Sequence, residues 1–280
     1  FRSCKPGDIV AVESPSFHGT MQMLRGFNIK AIEIPTDPET GISIEALELA
    51  LDQWPIKGVI LVPNCNNPLG FIMPDARKRA VLNLAQRYDI VIFEDDIYGE
   101  LATEYPRPRT IHSWDIDGRV MLCSSFTKTI APGLRIGWIA PGRYYDKLLQ
   151  MKYAASGTNV PSTQLAACNF IREGHFWRHL KKMRAGYAQR RLWLESALRA
   201  QGFTVVPQAG GIQMVVRVAG DDRLLAQLAR QAGLAVQALS DWRMESRGEG
   251  GLIMSFTNLT SAEVANQAVR MLDAALYAKR

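Results

Sequence analysis

Residues 120–138 read VMLCSSFTKTIAPGLRIGW. The first residues, Val120 to Ser124, are apolar and close-packed in sequence, as a strand covered on both faces should be. A dense polar cluster follows at once. Lys128 stands among the hydroxyls of Ser124, Ser125, Thr127 and Thr129, with Arg135 a little further on. A buried strand that ends in such a cluster predicts an α/β sheet with a ligand loop at its carboxyl edge.

The same arrangement recurs on either side. Strands are predicted over Asp8 to Glu13, Lys30 to Ile34, Gly58 to Val62 and Ile90 to Glu94. Helices are predicted over Thr20 to Arg25, Ile44 to Leu51 after Ser43, and Asp75 to Arg87 after Pro74. Strands alternating with helices indicate a doubly wound, mostly parallel sheet. Three more polar clusters follow predicted strands: Ser14-Pro-Ser-Phe17, Asn66-Asn-Pro-Leu-Gly70 and Glu94-Asp-Asp-Ile-Tyr98. Four loops are expected to meet at one site. The pattern changes after about Val160. Helices over Ser162 to Ile171 and His175 to Ala200 lead into strands over Thr204 to Val206, Ile212 to Val218 and Leu252 to Phe256, with helices over Asp222 to Gln231 and Ser261 to Ala278. This predicts a smaller α+β domain, with residues 1–172 as the large domain and 173–280 as the small one.

A chain of 280 residues with 47% hydrophobic and 21% charged residues can bury a large core, which excludes a disordered chain or a disulfide mini-scaffold. Its apolar runs are too short to span a bilayer. Cys4, Cys65, Cys123 and Cys168 are far apart with no CxxC, so neither a zinc site nor a redox pair is expected; reduced thiols and a cytoplasmic location are. The net charge of +6 is compatible with an anionic ligand or with nucleic acid. It is densest over Arg172 to Arg191, read as a solvated helix face before a DNA-contact strip. His175 and His179 have metal-ligand spacing but no third ligand, so no metal is expected. Gly210-Gly211 lacks the spacing of a dinucleotide fingerprint. The chain begins with Phe1 rather than Met and shows no signal-peptide pattern, which suggests a start inside a longer product.

The clusters together supply a distinctive chemistry. Hydroxyls and a guanidinium suit a phosphate, and a lysine beside them can form a Schiff base with an aldehyde. An acid for a ring nitrogen, a phenol and an amide for a ring oxygen, and an aromatic to stack are also present. Those are the parts pyridoxal phosphate requires. Ser-x-x-Lys followed by Pro-Gly-Leu-Arg-Ile-Gly, with Asn-Pro-x-Gly and Asp-x-x-Tyr upstream, resembles the fold type I pyridoxal-phosphate aminotransferases. Within them, the chain is most similar to the aminotransferase-like domain of MocR-type (GntR superfamily) transcription regulators. The resemblance covers nearly the whole chain. It implies that Lys128 is the Schiff-base lysine, that Asp95 pairs with the pyridine nitrogen (Asp96 being the adjacent competitor), and that Tyr98 and Asn67 face the ring oxygen. It implies further that Ser125, Thr127 and Arg135 hold the phosphate and that Phe17 stacks on the ring. A homodimer is expected as well.

Two departures bear on function. Aminotransferases of this type grip the substrate carboxylate with an arginine on a late strand; here Ile253 occupies that position. Arg217, Arg243 and Arg247 are the possible substitutes. The family's large domain also has more chain before Pro6-Gly7-Asp8, including a phosphate-cradling helix. The resemblance therefore implies an effector-sensing, dimer-forming regulator domain that binds a small amine or amino acid and reaches DNA through a winged-helix segment outside these residues. The alternative is an aminotransferase acting on an amino acid.

Overall fold

The computed structural model describes residues 4–244 and 248–277. Its buried β-branched runs assemble into one sheet. In chain order the elements are β1 (Ile9–Ser14), α1 (His18–Gly26), β2 (Lys30–Asp37), β3 (Gly41–Ile42), α2 (Ile44–Gln53), β4 (Ile56–Leu61), α3 (Asp75–Arg87), β5 (Val91–Asp95), β6 (Val120–Ser125) and β7 (Gly137–Ala140). The sheet order is β3-β2-β1-β4-β5-β6-β7. The pairs from β2 through β6 are parallel, and only the edge strands β3 and β7 run antiparallel. Because β1, β4, β5 and β6 are parallel neighbours, their carboxyl ends lie along one edge, and the four polar clusters follow those ends.

The rest of the chain forms α4 (Tyr145–Ser156), α5 (Pro161–Arg172), α6 (His175–Ala200), β8 (Thr204–Val205), β9 (Gln213–Arg217), α7 (Asp222–Gln231), β10 (Val236–Ala238), β11 (Gly251–Ser255) and α8 (Ala262–Tyr277). The second sheet is antiparallel, in the order β10-β11-β9-β8. Its strands alternate faces as a pleated strand must. Met214, Val216, Leu252 and Met254 pack with Leu194 and Leu198 of α6 and Val269 and Leu272 of α8. Val215 and Ile253, on the opposite face, join the core of the first sheet with Ala11, Val59 and Ile92. One hydrophobic core thus runs between the two sheets.

Helix α6 joins distant parts of this body. Near its start, Phe176 meets the Phe126 ring edge-on, with centroids 5.8 Å apart. Near its end, Leu194 and Leu198 are buried in the core of the second sheet.

The predicted helices and long strands form within a few residues of their expected bounds, and Ser43 caps α2 by accepting the Ala46 N–H at 3.1 Å. The last predicted residue of α8, Ala278, lies outside the described residues. Four elements carry no clear sequence signal: β3, β7, α4 and β10. Strands β3 and β10 are too short to show alternation. Strand β7 is an exposed edge, and α4 buries none of its residues. All four cysteines are free thiols. Among the described residues, no helix is long and apolar enough to cross a membrane.

Candidate cofactor site

Asp95 is the last residue of β5, and Lys128 follows β6, the adjacent strand. Burial pushes the Asp95 carboxyl up to about 6, against the opposing pull of the Ile97 N–H and the Lys128 ammonium. The Ile97 N–H donates to Asp95 Oδ1 at 3.1 Å. Lys128 Nζ lies 5.8 Å from the centroid of the Tyr98 ring. Tyr98 is buried, and its hydroxyl accepts from Asn67 Nδ2 at 3.3 Å. Burial and the Asp95 charge both hold the Tyr98 hydroxyl in its protonated form. Lys128, Asp95, Tyr98 and Asn67 are therefore one cluster.

Asp96 does not compete for this position. Its carboxylate accepts Asn64 Nδ2 at 2.9 Å and forms an ion pair with Arg107. Asn64 in turn accepts from Lys78 Nζ at 2.7 Å, and Lys78 also donates to the Arg109 carbonyl at 2.6 Å. This buried polar network lies behind the loop that carries Asp95 and Tyr98. It is a scaffold, with each charge opposed and hydrogen-bonded.

The loop after β6 is built around Ser125. Its hydroxyl lies 2.7 Å from Thr127 Oγ1, receives the Thr127 N–H at 3.0 Å and donates to the Ile136 carbonyl at 3.0 Å. Arg135 ends this loop with a left-handed backbone, φ 51°, which is uncommon for a residue with a side chain. It is exposed, and so is free to meet an anion. The Phe17 ring contacts His18 and Trp242, at centroid distances of 4.7 and 5.9 Å.

Two further residues support the site and were not foreseen. Glu13, at the end of β1, accepts the Val62 N–H at 2.8 Å and Asn66 Nδ2 at 3.1 Å, fixing the turn that presents Asn67. Its other oxygen is buried without a partner among the described residues, and burial pushes its carboxyl up to about 8. Gln213 of β9 donates to Asn67 Oδ1, so the second sheet reaches the cluster directly. The one available signal for Gln213 was the preceding Gly210-Gly211. A side chain at Gly210 would collide with Cys65 Sγ and meet the Leu101 carbonyl at 2.7 Å, so the glycine permits close approach of the two parts of the chain.

Ile253 is buried in the core. Arg217 is ion-paired with Glu249, and Arg243 donates to the Glu249 carbonyl at 2.9 Å. Arg247 lies outside the described residues. The basic run on α6 is not simply a solvated face. Arg190 and Arg191 donate to the carbonyls of Thr257 and Gln208 at 2.8 and 3.0 Å, and Arg184 lies over the Tyr105 ring. His175 bonds Glu173 at 3.1 Å, while His179 lies against Phe170.

The cluster has the chemistry that pyridoxal phosphate requires. A half-buried amine with no hydrogen bond among the described residues, a buried carboxyl beside it, a phenol–amide pair and a hydroxyl loop ending in arginine stand at one sheet edge. The residues present fit the group.

Comparison with known proteins agrees. The chain is 59% identical over 285 residues to an Escherichia coli K12 protein described as an uncharacterized HTH-type transcriptional regulator, YjiR, covering 98% of this chain and 59% of that one. It is 30% identical over 263 residues to the probable rhizopine catabolism regulatory protein MocR of Rhizobium meliloti, covering 90% of this chain and 52% of that one. The chain thus spans little more than half the length of these relatives. Among solved structures, the kynurenine aminotransferase of Pyrococcus horikoshii superposes with a TM-score of 0.91 at 27% identity, over 98% of this chain and 70% of that one. The family model for aminotransferase class I and II matches residues 1–270, nearly the whole length over which the two sheets and the lysine loop were traced. The chain belongs to the class I and II aminotransferase family.

Proposed function

We propose that this chain is the pyridoxal-phosphate-binding, effector-sensing and dimer-forming part of a longer MocR/GntR-type transcription regulator. The observation that carries this reading is Ile253. Where an arginine would grip a substrate carboxylate in two parallel hydrogen bonds, an apolar side chain is buried in the core. Efficient transamination needs that grip to orient the reacting carbon; recognition of an amine does not. The regulator names of the relatives, and their greater length, support the same reading.

In this reading Lys128 supplies the amine that holds the cofactor, and Asp95 faces the ring nitrogen. The raised affinity of Asp95 for a proton suits a carboxyl that shares one with that nitrogen. Tyr98 and Asn67 face the ring oxygen, held by Gln213 and the Glu13-bound turn. Ser125, Thr127 and Arg135 take the phosphate, and Phe17 lies against the ring with Trp242 behind it. When bound, pyridoxal phosphate supplies an aldehyde that captures amines and a ring that withdraws electrons. The ligand is a small amine or amino acid. DNA contact belongs to a winged-helix segment outside this chain. The division between the large and small domains falls near Glu173, between α5 and α6. Homodimerisation is supported by apolar side chains left in solvent on β7 and α4: Trp138, Ile139, Tyr145, Leu149 and Tyr153.

The test is spectroscopic. Purified protein mixed with pyridoxal phosphate is expected to gain visible absorbance that Lys128→Ala loses. A panel of amino acids and amines is then expected to shift that absorbance without converting the cofactor to its amine form. Conversion by any amino acid would favour the second reading, an aminotransferase, which the likeness to the kynurenine aminotransferase supports.

A further inference from the structure

On the solvent side of α3, an open groove of about 400 Å³ runs between that helix and the loop at 114–116. Ala76, Ala80 and Asn83 form one wall, on a single helix face at spacings of three and four residues. Trp114 and Ile116 form the other. Ile116 is 92% exposed. None of the lining residues belongs to the lysine cluster, and none is a sequence neighbour of a residue that does.

Two guanidiniums stand over the Trp114 indole, Arg79 at 5.5 Å and Arg109 at 5.8 Å from its centroid. A guanidinium stacked on a ring keeps its edge N–H donors for an anion. Among the described residues, neither has an ion pair or a side-chain hydrogen bond. The acids around them are engaged elsewhere. Asp75 lies 3.8 Å from Lys78 Nζ. Asp115 accepts the N–H groups of Val120 and Asp117 at 2.7 and 3.2 Å, and Asp117 pairs with Arg119 at 2.6 Å. On α2, Glu48 is paired with Arg87, and Asp52 accepts the Tyr88 hydroxyl. The wall that carries Arg109 and Trp114 is fixed from behind. The Glu94 carboxylate accepts the N–H groups of Ile111 and His112 at 2.8 and 2.9 Å, and the Arg109 carbonyl accepts Lys78 Nζ at 2.6 Å. A surface already held in place loses little conformational freedom on binding.

We propose that this groove docks an acidic segment of a partner protein. Carboxylates of the segment meet Arg79 and Arg109, and an apolar side chain lies on Trp114 and Ile116. The combination selects the partner: cations alone would take any anion, and an apolar wall alone any hydrophobe. Duplex DNA fits less well. It presents a row of phosphates, which would meet Asp115 and Asp117 on either side of Ile116 in the sequence. The groove is an interaction site beyond the amine captured at the cofactor, and it needs no cofactor to form.

The experiment is a fluorescence-anisotropy titration of the 280-residue chain into a labelled peptide, acetyl-Asp-Glu-Phe-Leu-Glu-Asp. Its amide counterpart, acetyl-Asn-Gln-Phe-Leu-Gln-Asn, and a labelled DNA duplex are the comparison probes. The acidic peptide is expected to bind saturably, and the amide peptide about tenfold more weakly. Arg79→Gln and Arg109→Gln should each weaken the acidic peptide about fivefold, the scale of one solvent-exposed charge pair. Ile116→Ser should weaken both peptides several-fold. Lys182→Gln, which removes an equal charge from α6, should leave binding unchanged. The double variant Arg79→Glu/Arg109→Glu should bind acetyl-Lys-Arg-Phe-Leu-Arg-Lys more tightly than the wild-type chain does, a gain that misfolding cannot produce. The proposal is overturned if the acidic peptide does not bind, if the amide peptide binds as well, or if the two arginine variants bind as wild type does. It is also overturned if Lys182→Gln weakens binding equally, or if the charge-reversed variant gains nothing. DNA bound through Arg79 and Arg109 in place of the peptide would overturn it too, as would loss of a dimer in Ile116→Ser, which would make a second copy the occupant.

Discussion

Glu13, Glu94 and Asp95 are three carboxyls that burial pushes up to about 8, 7 and 6. Each binds its proton more tightly folded than unfolded. By linkage, each contributes most to stability below its unfolded value, and that contribution falls as pH rises towards its folded value. For Glu13 the window runs from 4.5 to about 8. The cofactor-free chain should therefore be more stable to urea at pH 5 than at pH 8. Glu13→Gln, which mimics the neutral acid, should remove part of that difference, on the order of a few kcal/mol; an unchanged pH dependence in urea titrations would refute the assignment. At the cofactor site, Asp95→Asn should keep the fold but weaken retention of pyridoxal phosphate about tenfold or more, measured by equilibrium dialysis, because an amide cannot hold the charge opposite a ring N–H. Lys128, Asp95, Tyr98 and Asn67 were legible because each lies in a short motif after a strand. Glu13 and Gln213 were not. Gln213 reaches Asn67 across 146 positions of chain, and Glu13 reads locally as one more residue of β1.

Elements were legible where they bury one face or carry a cap. Helix α7 is capped by Asp221, whose Oδ1 accepts the N–H groups of Arg223 and Leu224 at 3.0 and 3.4 Å. Asp221→Ala should cost about 1 kcal/mol in urea unfolding, with the cofactor spectrum unchanged. Strand β9 shows why the small sheet could be read: Met214 and Val216 face the helices while Val215 faces the other sheet. Strand β7 and helix α4 give no such periodicity, because their apolar side chains have no core to face within one chain. Their invisibility in the sequence and their exposure in the structure have one physical origin.

For the whole molecule, that exposure makes a prediction. Leu149 is 55% exposed on α4. If the surface formed by β7 and α4 is where two copies meet, Leu149→Glu should shift sedimentation from dimer to monomer at micromolar concentration, while Ile116→Glu, at an exposed position off both elements, should not. A wild-type chain that sediments as a monomer would remove the basis for both the dimer and the mutation. A different consequence follows from α6. Its length between Phe176, against the lysine loop, and Leu198, in the second core, is about 33 Å at 1.5 Å per residue. A tilt of about 2° pivoting at Phe176 carries Leu198 by about 1 Å, enough to be felt in a close-packed interior. The helix thus ties the loop that holds Lys128 to the core of the second sheet, so that a displacement at one end is not absorbed locally before it reaches the other.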